Sequence, residues 1–192
     1  MDLERLFVVL SSISQLSDEF KITLSKEMTR LSLPRNYILL EAPNVSDHAY
    51  FLESGFAMSY TFVKGKMQTE KFWASGEIIV SAKSFFEQVP SMEFIKLMAQ
   101  SDVLFISYAA VQRLFDSFPE ANFIYRVTMN KYQEHFRDRI HELQYLSSTA
   151  RYDKLTATFP AIEQLVAQEH IASYLGIAPQ SLSRIKRMKN RA

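Results

Sequence analysis

A chain of 192 residues, 47% of them hydrophobic, is long enough to bury a core, and its lack of cysteine excludes disulfides, thiolate metal sites and cysteine nucleophiles. The formal net charge of only +1 excludes bulk basicity as a source of nucleic-acid affinity, so any such affinity has to be local. The N-terminus lacks the basic segment and long apolar run of a signal peptide, and no later stretch reaches membrane-spanning length, which predicts a soluble, cytoplasmic protein without a membrane partner.

The first thirty residues are predicted to be helical. Residues 17–19 offer an N-cap and an acidic first turn, and Phe20, Leu24 and Met28 recur at helical spacing. Pro34 then ends the helical pattern.

Short strands are predicted from residue 37 to about residue 108, where β-branched or aromatic runs alternate with turn residues. The predicted strands are residues 37–40, 49–53, 56–63, 68–73, 77–80, 94–99 and 103–107. Many short strands at this spacing indicate a jelly-roll β-barrel.

Three predicted helices follow the strands. Residues 109–115 form a short one, and Pro119 is well placed as the first residue of a long one that runs to about residue 146. The third spans residues 148–158 and ends before Pro160, because the residue that precedes a proline disfavours helical geometry.

The long predicted helix carries one continuous apolar stripe. At about 28 residues it is roughly 42 Å long, more than a small barrel can cover. Its length therefore favours pairing with a second copy over packing only on the protein's own barrel. The predicted dimerisation residues are Met129, Tyr132, Phe136, Ile140 and Leu143.

Residues 168–191 have the pattern of a helix-turn-helix. Ala172 is the small residue where two helices cross, Gly176 can take the left-handed conformation that ends the first helix, and Pro179 suits the start of the second. Ala178 stands where a side-chain cap is expected, a loss of about 1 kcal/mol of helix stability. The predicted apolar core of the motif is Ile171, Leu175, Ile177, Leu182 and Ile185.

The second helix of this motif has a basic outer face with no acidic residue. Arg184 suits a bidentate pair with guanine, and Gln180 suits adenine or a phosphate. Arg187 shares their outward side. The predicted phosphate contacts are Ser181, Lys186, Lys189 and Arg191. A purely structural helical hairpin explains the apolar spacing equally well, but not the basic outer face.

The order of the elements resembles the Crp/Fnr family of bacterial transcription regulators, and the run 171–177 followed by residues 182–184 is very similar to that family's signature. The resemblance implies an α+β fold: a cyclic-nucleotide-binding-like jelly-roll β-barrel, a long dimerisation helix and a C-terminal helix-turn-helix. Residues 1–146 are then the roll with its long helix, and residues 147–192 the DNA-binding domain. The implied partners are double-stranded DNA bound at two half-sites, a second copy of the chain, and RNA polymerase as a candidate.

The resemblance also implies an effector pocket. In the cyclic-nucleotide-binding members a Gly-Glu pair and a following arginine hold the ribose and the cyclic phosphate. Gly76 and Glu77 stand in the corresponding place, but residues 89–93, which include Ser91, contain no basic residue, and Lys83 would have to substitute as a point charge. Burying a phosphate without a matched donor is costly, so we expect no response to cAMP.

No other cofactor is expected. An iron–sulfur sensor needs cysteines, and a haem sensor needs axial ligands where the predicted barrel offers only His48. The roll is therefore an apolar-ligand pocket or a scaffold that senses nothing. The aromatic residues that would line such a pocket, or else form plain core, are Phe51, Phe72, Trp73 and Phe85.

Two other classes of function compete with a regulator. A cupin-like enzyme collects several histidines in its barrel, but His135, His141 and His170 fall on predicted helices, and the chain has neither a Gly-x-Ser-x-Gly turn nor a Gly-rich phosphate loop. We therefore expect no enzyme. The other class is an interaction module that has lost specific DNA reading and whose roll docks a partner.

Overall fold

The computed structural model of the protein, which describes residues 3–189, begins with helices α1 (Glu4–Ser11) and α2 (Asp18–Glu27). The predicted N-cap is confirmed, because the Ser17 hydroxyl accepts a hydrogen bond from the Phe20 N–H at 3.1 Å. The prediction of helix to residue 30 is wrong at its end. Strand β1 (Thr29–Leu33) starts there, and its backbone pairs with residues Ser101 to Phe105, far along the chain.

Eight strands form two four-stranded antiparallel sheets within the described part of the chain. One sheet has the order β1-β8-β3-β6 and the other β2-β7-β4-β5. Every predicted strand is present, and only β1 was not predicted. The remaining strands are β2 (Ile38–Leu40), β3 (His48–Ser54), β4 (Phe56–Val63), β5 (Lys66–Ala74), β6 (Ile78–Ile79), β7 (Phe94–Leu97) and β8 (Ser101–Ser107).

The four aromatic residues considered as a pocket lining are all buried, and three of them belong to three separate core clusters. Trp73 packs between the two sheets, Phe51 packs against the N-terminal helices, and Phe72 packs against the C-terminal helices. Phe85 is fully buried and contacts Phe86 edge to face at 5.0 Å. A single pocket lined by all four is therefore wrong, because Phe51, Phe72 and Trp73 lie on strands β3 and β5 and turn towards different neighbours, and Phe85 lies on a helix.

The three helices predicted after the roll are present, the first beginning one residue earlier than predicted, and a short helix at residues 162–165 was not predicted. Pro119 is the first residue of the long helix, and the third predicted helix has its predicted bounds. None of the helices within residues 3–189 combines the length and apolarity needed to cross a bilayer. The helices are α3 (Ala82–Glu87), α4 (Tyr108–Ser117), α5 (Pro119–Tyr145), α6 (Ser148–Thr158), α7 (Ile162–Leu165), α8 (Gln168–Tyr174) and α9 (Pro179–Lys189).

The C-terminal helices pack directly on the outer face of the roll. The ring of Phe159 stands edge to face on Phe56 at 5.4 Å, and the ring of Tyr174 lies 4.9 Å from that of Phe72. The Ser173 hydroxyl accepts a hydrogen bond from the Thr69 N–H at 3.0 Å, which joins α8 to β5. The roll and the helix-turn-helix thus share one buried cluster.

Candidate DNA-binding helix and interdomain cavity

The turn between α8 and α9 has the geometry that the sequence predicts. Gly176 adopts a left-handed φ of +66°. Its N–H donates to the Ser173 carbonyl, and the Ile177 N–H donates to the Ala172 carbonyl, both at 3.0 Å, which is the hydrogen-bond pattern of a Schellman motif. A Cβ on this glycine would lie 3.1 Å from Leu143 of α5, so the turn is also closely packed.

The apolar residues of the motif form its core. Ala172 is fully buried at the crossing of α8 and α9, as predicted, and α9 begins at Pro179. The Ala178 carbonyl accepts hydrogen bonds from the N–H groups of Ser181 and Leu182 at 3.0 and 3.2 Å, but this residue supplies no side-chain cap. The buried residues of the two helices are Ile171, Ala172, Tyr174, Leu175, Leu182 and Ile185, and Ile177 is partly buried.

Three predicted base-reading and outward residues lie together on the exposed side of α9. Gln180, Arg184 and Arg187 are all exposed, and they recur at spacings of four and three residues. Neither arginine has an ion-pair partner among residues 3–189. Ser181 is half-buried at the edge of this side. We call the surface formed by Gln180, Arg184 and Arg187 the reading face.

The two predicted phosphate-binding lysines are already paired with carboxylates. The Lys186 ammonium lies 2.9 Å from the Glu163 carboxylate of α7, and Lys189 forms an ion pair with Asp153 of α6. These pairs hold α9 against the two helices that precede the motif. Arg191, the last predicted contact, lies outside the described residues.

The four predicted effector residues do not form one pocket. Gly76 lies in the turn between β5 and β6, and Glu77 accepts a hydrogen bond from the Ala74 N–H at 2.6 Å. Lys83 is exposed on α3, whereas Ser91 is buried with its hydroxyl 3.4 Å from that of Ser81. Lys83 would have to turn in from solvent to replace the missing arginine, because its side chain is exposed.

A buried lysine that the sequence analysis missed stands inside the roll. Lys71 of β5 is 8% exposed, and its ammonium lies 3.7 Å from the centre of the Tyr132 ring and 5.1 Å from that of Trp73. Tyr132 reaches it from α5 and donates a hydrogen bond to the Val80 carbonyl at 3.0 Å. The alternating pattern of strand β5 could have revealed this buried lysine, because Lys71 shares the inward face of the strand with Thr69 and Trp73.

Burial also shifts the charges around this lysine. Desolvation lowers the pKa of Lys71 to about 8, although the nearby carboxylates of Glu77 and Glu93 act in the opposite direction. Burial raises the pKa of both carboxyl groups. A buried lysine cation lowers the stability of the folded protein. Residues with a strongly shifted pKa of this kind are often found at functional sites.

Replacing Lys71 with Met is expected to stabilise the protein by about 1–2 kcal/mol at pH 7, because the loss of an unfavourably buried charge outweighs the loss of its contacts with two rings. From its folded pKa of about 8 to its ordinary value of 10.5, Lys71 binds fewer protons in the folded than in the unfolded chain. Its penalty is therefore complete below pH 8 and disappears as the pH rises to 10.5. Urea unfolding of both proteins across this range should show their difference shrinking with pH, and an unchanging difference would contradict the assignment.

A cavity of about 670 Å³ lies between the roll, the long helix and the C-terminal helices. This size is in the range of small-molecule sites. The His135 Nε2 atom is buried at its wall and has no hydrogen-bond partner among residues 3–189. We call this cavity between the roll, the long helix and the C-terminal helices the interdomain cavity. Its walls include Lys71, Glu77, His135, Arg139, Arg151 and Tyr174.

Comparison with known proteins finds similarity in structure but not in sequence. No protein-family model matches the chain, and no curated protein matches its sequence. A solved structure described as a Crp/Fnr-family transcriptional regulator, from Eubacterium rectale, has a TM-score of 0.74 at 15% identity, covering 90% of this chain and 83% of its own. FixK2 from Bradyrhizobium japonicum has a TM-score of 0.71 at 14% identity, with 85% of each chain covered.

A third similar structure is the c-di-GMP responsive global regulator CLP of Xanthomonas campestris. Its TM-score is 0.68 at 16% identity, and the match covers 91% of this chain and 93% of that one. At such identities the similarity shows the fold alone. The chain therefore shares the fold of these regulators, and the predicted fold class is confirmed.

Proposed function

We propose that the protein is a DNA-binding transcription regulator of the Crp/Fnr type that acts as a homodimer and does not respond to cAMP. The observation that carries this proposal is the reading face. Arg184 and Arg187 project from α9 without a carboxylate partner in the described chain, whereas the neighbouring Lys186 and Lys189 are paired. Two unpaired arginines beside an exposed glutamine match the donors that read guanine and adenine in the major groove.

The homodimer is supported by the far half of α5. Phe136, Ile140 and Leu143 are 45%, 57% and 45% exposed and lie along one side of the helix. Met129 continues this stripe one heptad earlier. Tyr132, which the sequence analysis also predicted as a dimerisation residue, is not part of this stripe, because it faces the roll and Lys71. An apolar stripe of this length is best covered by the same stripe of a second copy.

The proposal also divides the chain by role. Residues 1–146 form the roll with its dimerisation helix, and residues 147–192 form the DNA-binding part. The division falls where α5 ends at Tyr145 and α6 begins at Ser148. Double-stranded DNA and the second copy are the proposed partners, RNA polymerase is a candidate third, and the setting is the cytoplasm. We propose no catalytic activity.

The lack of a cAMP response is supported by the charges near Ser91. A cyclic phosphate there would meet Glu93, whose side chain is hydrogen-bonded to Ser81 and Ser59, and Lys83 faces solvent. Repulsion by a carboxylate without a compensating arginine makes phosphate binding unfavourable.

Replacing Arg184 with Ala is expected to weaken binding to selected promoter fragments by about 1–3 kcal/mol, while binding to random DNA changes little. The reason is that a bidentate pair with guanine is lost but few phosphate contacts are. Fluorescence anisotropy at several salt concentrations measures both affinities.

Arg126→Ala, which removes an exposed arginine from α5, is the matched control and should leave both affinities unchanged. If Arg184→Ala weakened binding to promoter fragments and to random DNA equally, Arg184 would contact phosphates rather than bases. If the wild-type protein bound no promoter fragment at any salt concentration, the regulator proposal would be wrong and an interaction module would be favoured.

A further inference from the structure

The roll supplies one wall of the core of the helix-turn-helix. The buried cluster that contains Ile171, Leu175 and Leu182 of the motif also contains residues of the roll. A C-terminal segment this short rarely buries enough apolar surface to fold by itself, so the shared wall is a substantial part of its core. The roll residues in this cluster are Phe56, Met58, Tyr60, Phe72 and Met98.

Helix α8 is buried on two sides. Ala172 is fully buried where α8 crosses α9, whereas Tyr174 is 8% exposed and its ring lies 4.9 Å from the ring of Phe72 in β5. A helix-turn-helix needs only the first of these contacts to hold its second helix at a fixed angle. The second contact therefore has a different effect, which is to join the motif to the roll.

Hydrogen bonds attach the C-terminal helices to the roll at two separate places. On α8, the Ser173 hydroxyl accepts from the Thr69 N–H at 3.0 Å and donates to the Met67 carbonyl at 3.3 Å. On α7, the Leu165 carbonyl accepts from the Arg35 guanidinium at 3.1 Å. Apolar contact has no preferred direction, but each hydrogen bond needs its donor and acceptor to be aligned. Together they favour one orientation of these helices on the roll.

The attachment leaves the reading face uncovered. Gln180, Arg184 and Arg187 are all exposed in this arrangement, whereas Leu182 and Ile185, on the other side of α9, are buried in the shared cluster. The motif is thus attached through the side that does not carry the predicted base contacts. No rotation of the helices is needed to expose the reading face to DNA.

We propose that strands β4 and β5 of the roll are a structural part of the DNA-binding unit and hold the reading face in one orientation that is ready for DNA without a ligand. Phe56 and Phe72 are then positioning residues, because they act on DNA only through Phe159 and Tyr174, whose rings they contact. The fixed attachment does not depend on the proposed DNA-binding function, whereas readiness for DNA rests on it.

Native-state hydrogen exchange of the full chain tests the attachment without DNA. The Leu175 amide, which donates to the Ile171 carbonyl at 2.9 Å, reports opening of the helix-turn-helix, and the Met58 amide of the central strand β4 reports opening of the roll. We expect the two amides to exchange through one shared opening, with protection factors within about tenfold of each other and the same dependence on urea. Protection of Leu175 that is about 100-fold lower would overturn the proposal.

Ile106→Val tests the same coupling from a distance. Ile106 belongs to the cluster under the N-terminal helices, which is separate from that of the motif. The change is expected to speed exchange of the Leu175 and Met58 amides by the same factor, about two- to tenfold. Val8→Ala, at a residue that is 65% exposed, is the control and should change neither rate. A helix-turn-helix that did not respond to Ile106→Val would open independently of the roll, contrary to the proposal.

A covalent link tests whether the orientation is ready for DNA. The chain has no cysteine, so Met67→Cys combined with Ser173→Cys places a single pair across the junction of β5 and α8, which a short bis-maleimide can join. We expect the linked protein and the same preparation before reaction to bind a selected promoter fragment with affinities that agree within about threefold.

A loss of more than about tenfold on linking would show that DNA binding requires the motif to leave the roll, which overturns the proposal. A pair that could not be joined would contradict the contact itself. If neither the unlinked variant nor the wild type bound any promoter fragment, the regulator proposal would fail, and hydrogen exchange would still decide the attachment.

Discussion

Replacing Ile140 with Lys is expected to convert the protein to a monomer and to weaken its binding to DNA with two half-sites by about 100-fold or more. Ile140 is 57% exposed in the single chain, so the change should leave the monomer's own fold within about 0.5 kcal/mol of wild type. In the proposed dimer, the introduced lysine of each chain would be buried against the partner chain with no group to pair with its charge. Analytical ultracentrifugation and anisotropy on the same preparation measure the two effects.

Asn130→Lys is the control for this experiment. Asn130 is also exposed on α5, but it lies away from the apolar stripe, so an added charge there should change neither the mass nor the DNA affinity. A dimer that persists in Ile140→Lys would show that the stripe is not the contact between copies.

Replacing Tyr174 with Ala is expected to lower the free energy of unfolding by about 3–5 kcal/mol, the range for truncation of a large buried ring. Tyr174 is 8% exposed and packs at once against Phe72 of the roll and Arg139 of the long helix. Its removal would open the junction between the three parts. Urea unfolding followed by circular dichroism measures the change.

Tyr145→Ala removes the same kind of side chain from the end of α5, where it is 70% exposed, and should change stability by less than about 0.5 kcal/mol. If the two tyrosine variants were destabilised equally, Tyr174 would not hold the helix-turn-helix on the roll.

Most of the fold could be predicted because its signals are local. Turn residues delimit the strands, Pro119 starts the long helix, and Gly176 ends α8. Strand β1 was missed because its side chains are mostly exposed and its order comes from pairing with β8. Helix α3 has only six residues, too few for a helical period to be recognisable.

The reading face and the interdomain cavity also differ in whether their sequence signals are local. The reading face followed from helical spacing after Pro179, since one turn decides which residues point outward. The interdomain cavity was not predictable, because Lys71, His135 and Arg151 meet only when strand, long helix and C-terminal helices pack together. Spacing along the chain equally gave no sign that Lys186 and Lys189 would find carboxylates on α7 and α6.

Those two ion pairs have a consequence for how the protein would search a genome. Glu163 and Asp153 hold the ammonium groups of Lys186 and Lys189 as fixed internal counterions, so approaching phosphates must compete with them. Random DNA, which offers only phosphates, then gains little from these lysines. Under the proposed function, a correct sequence would also engage Arg184 and Gln180 through its bases. Under that function, the pairs would lower the phosphate share of the affinity for any DNA, so contacts with bases would supply a larger share of the binding free energy at a correct site.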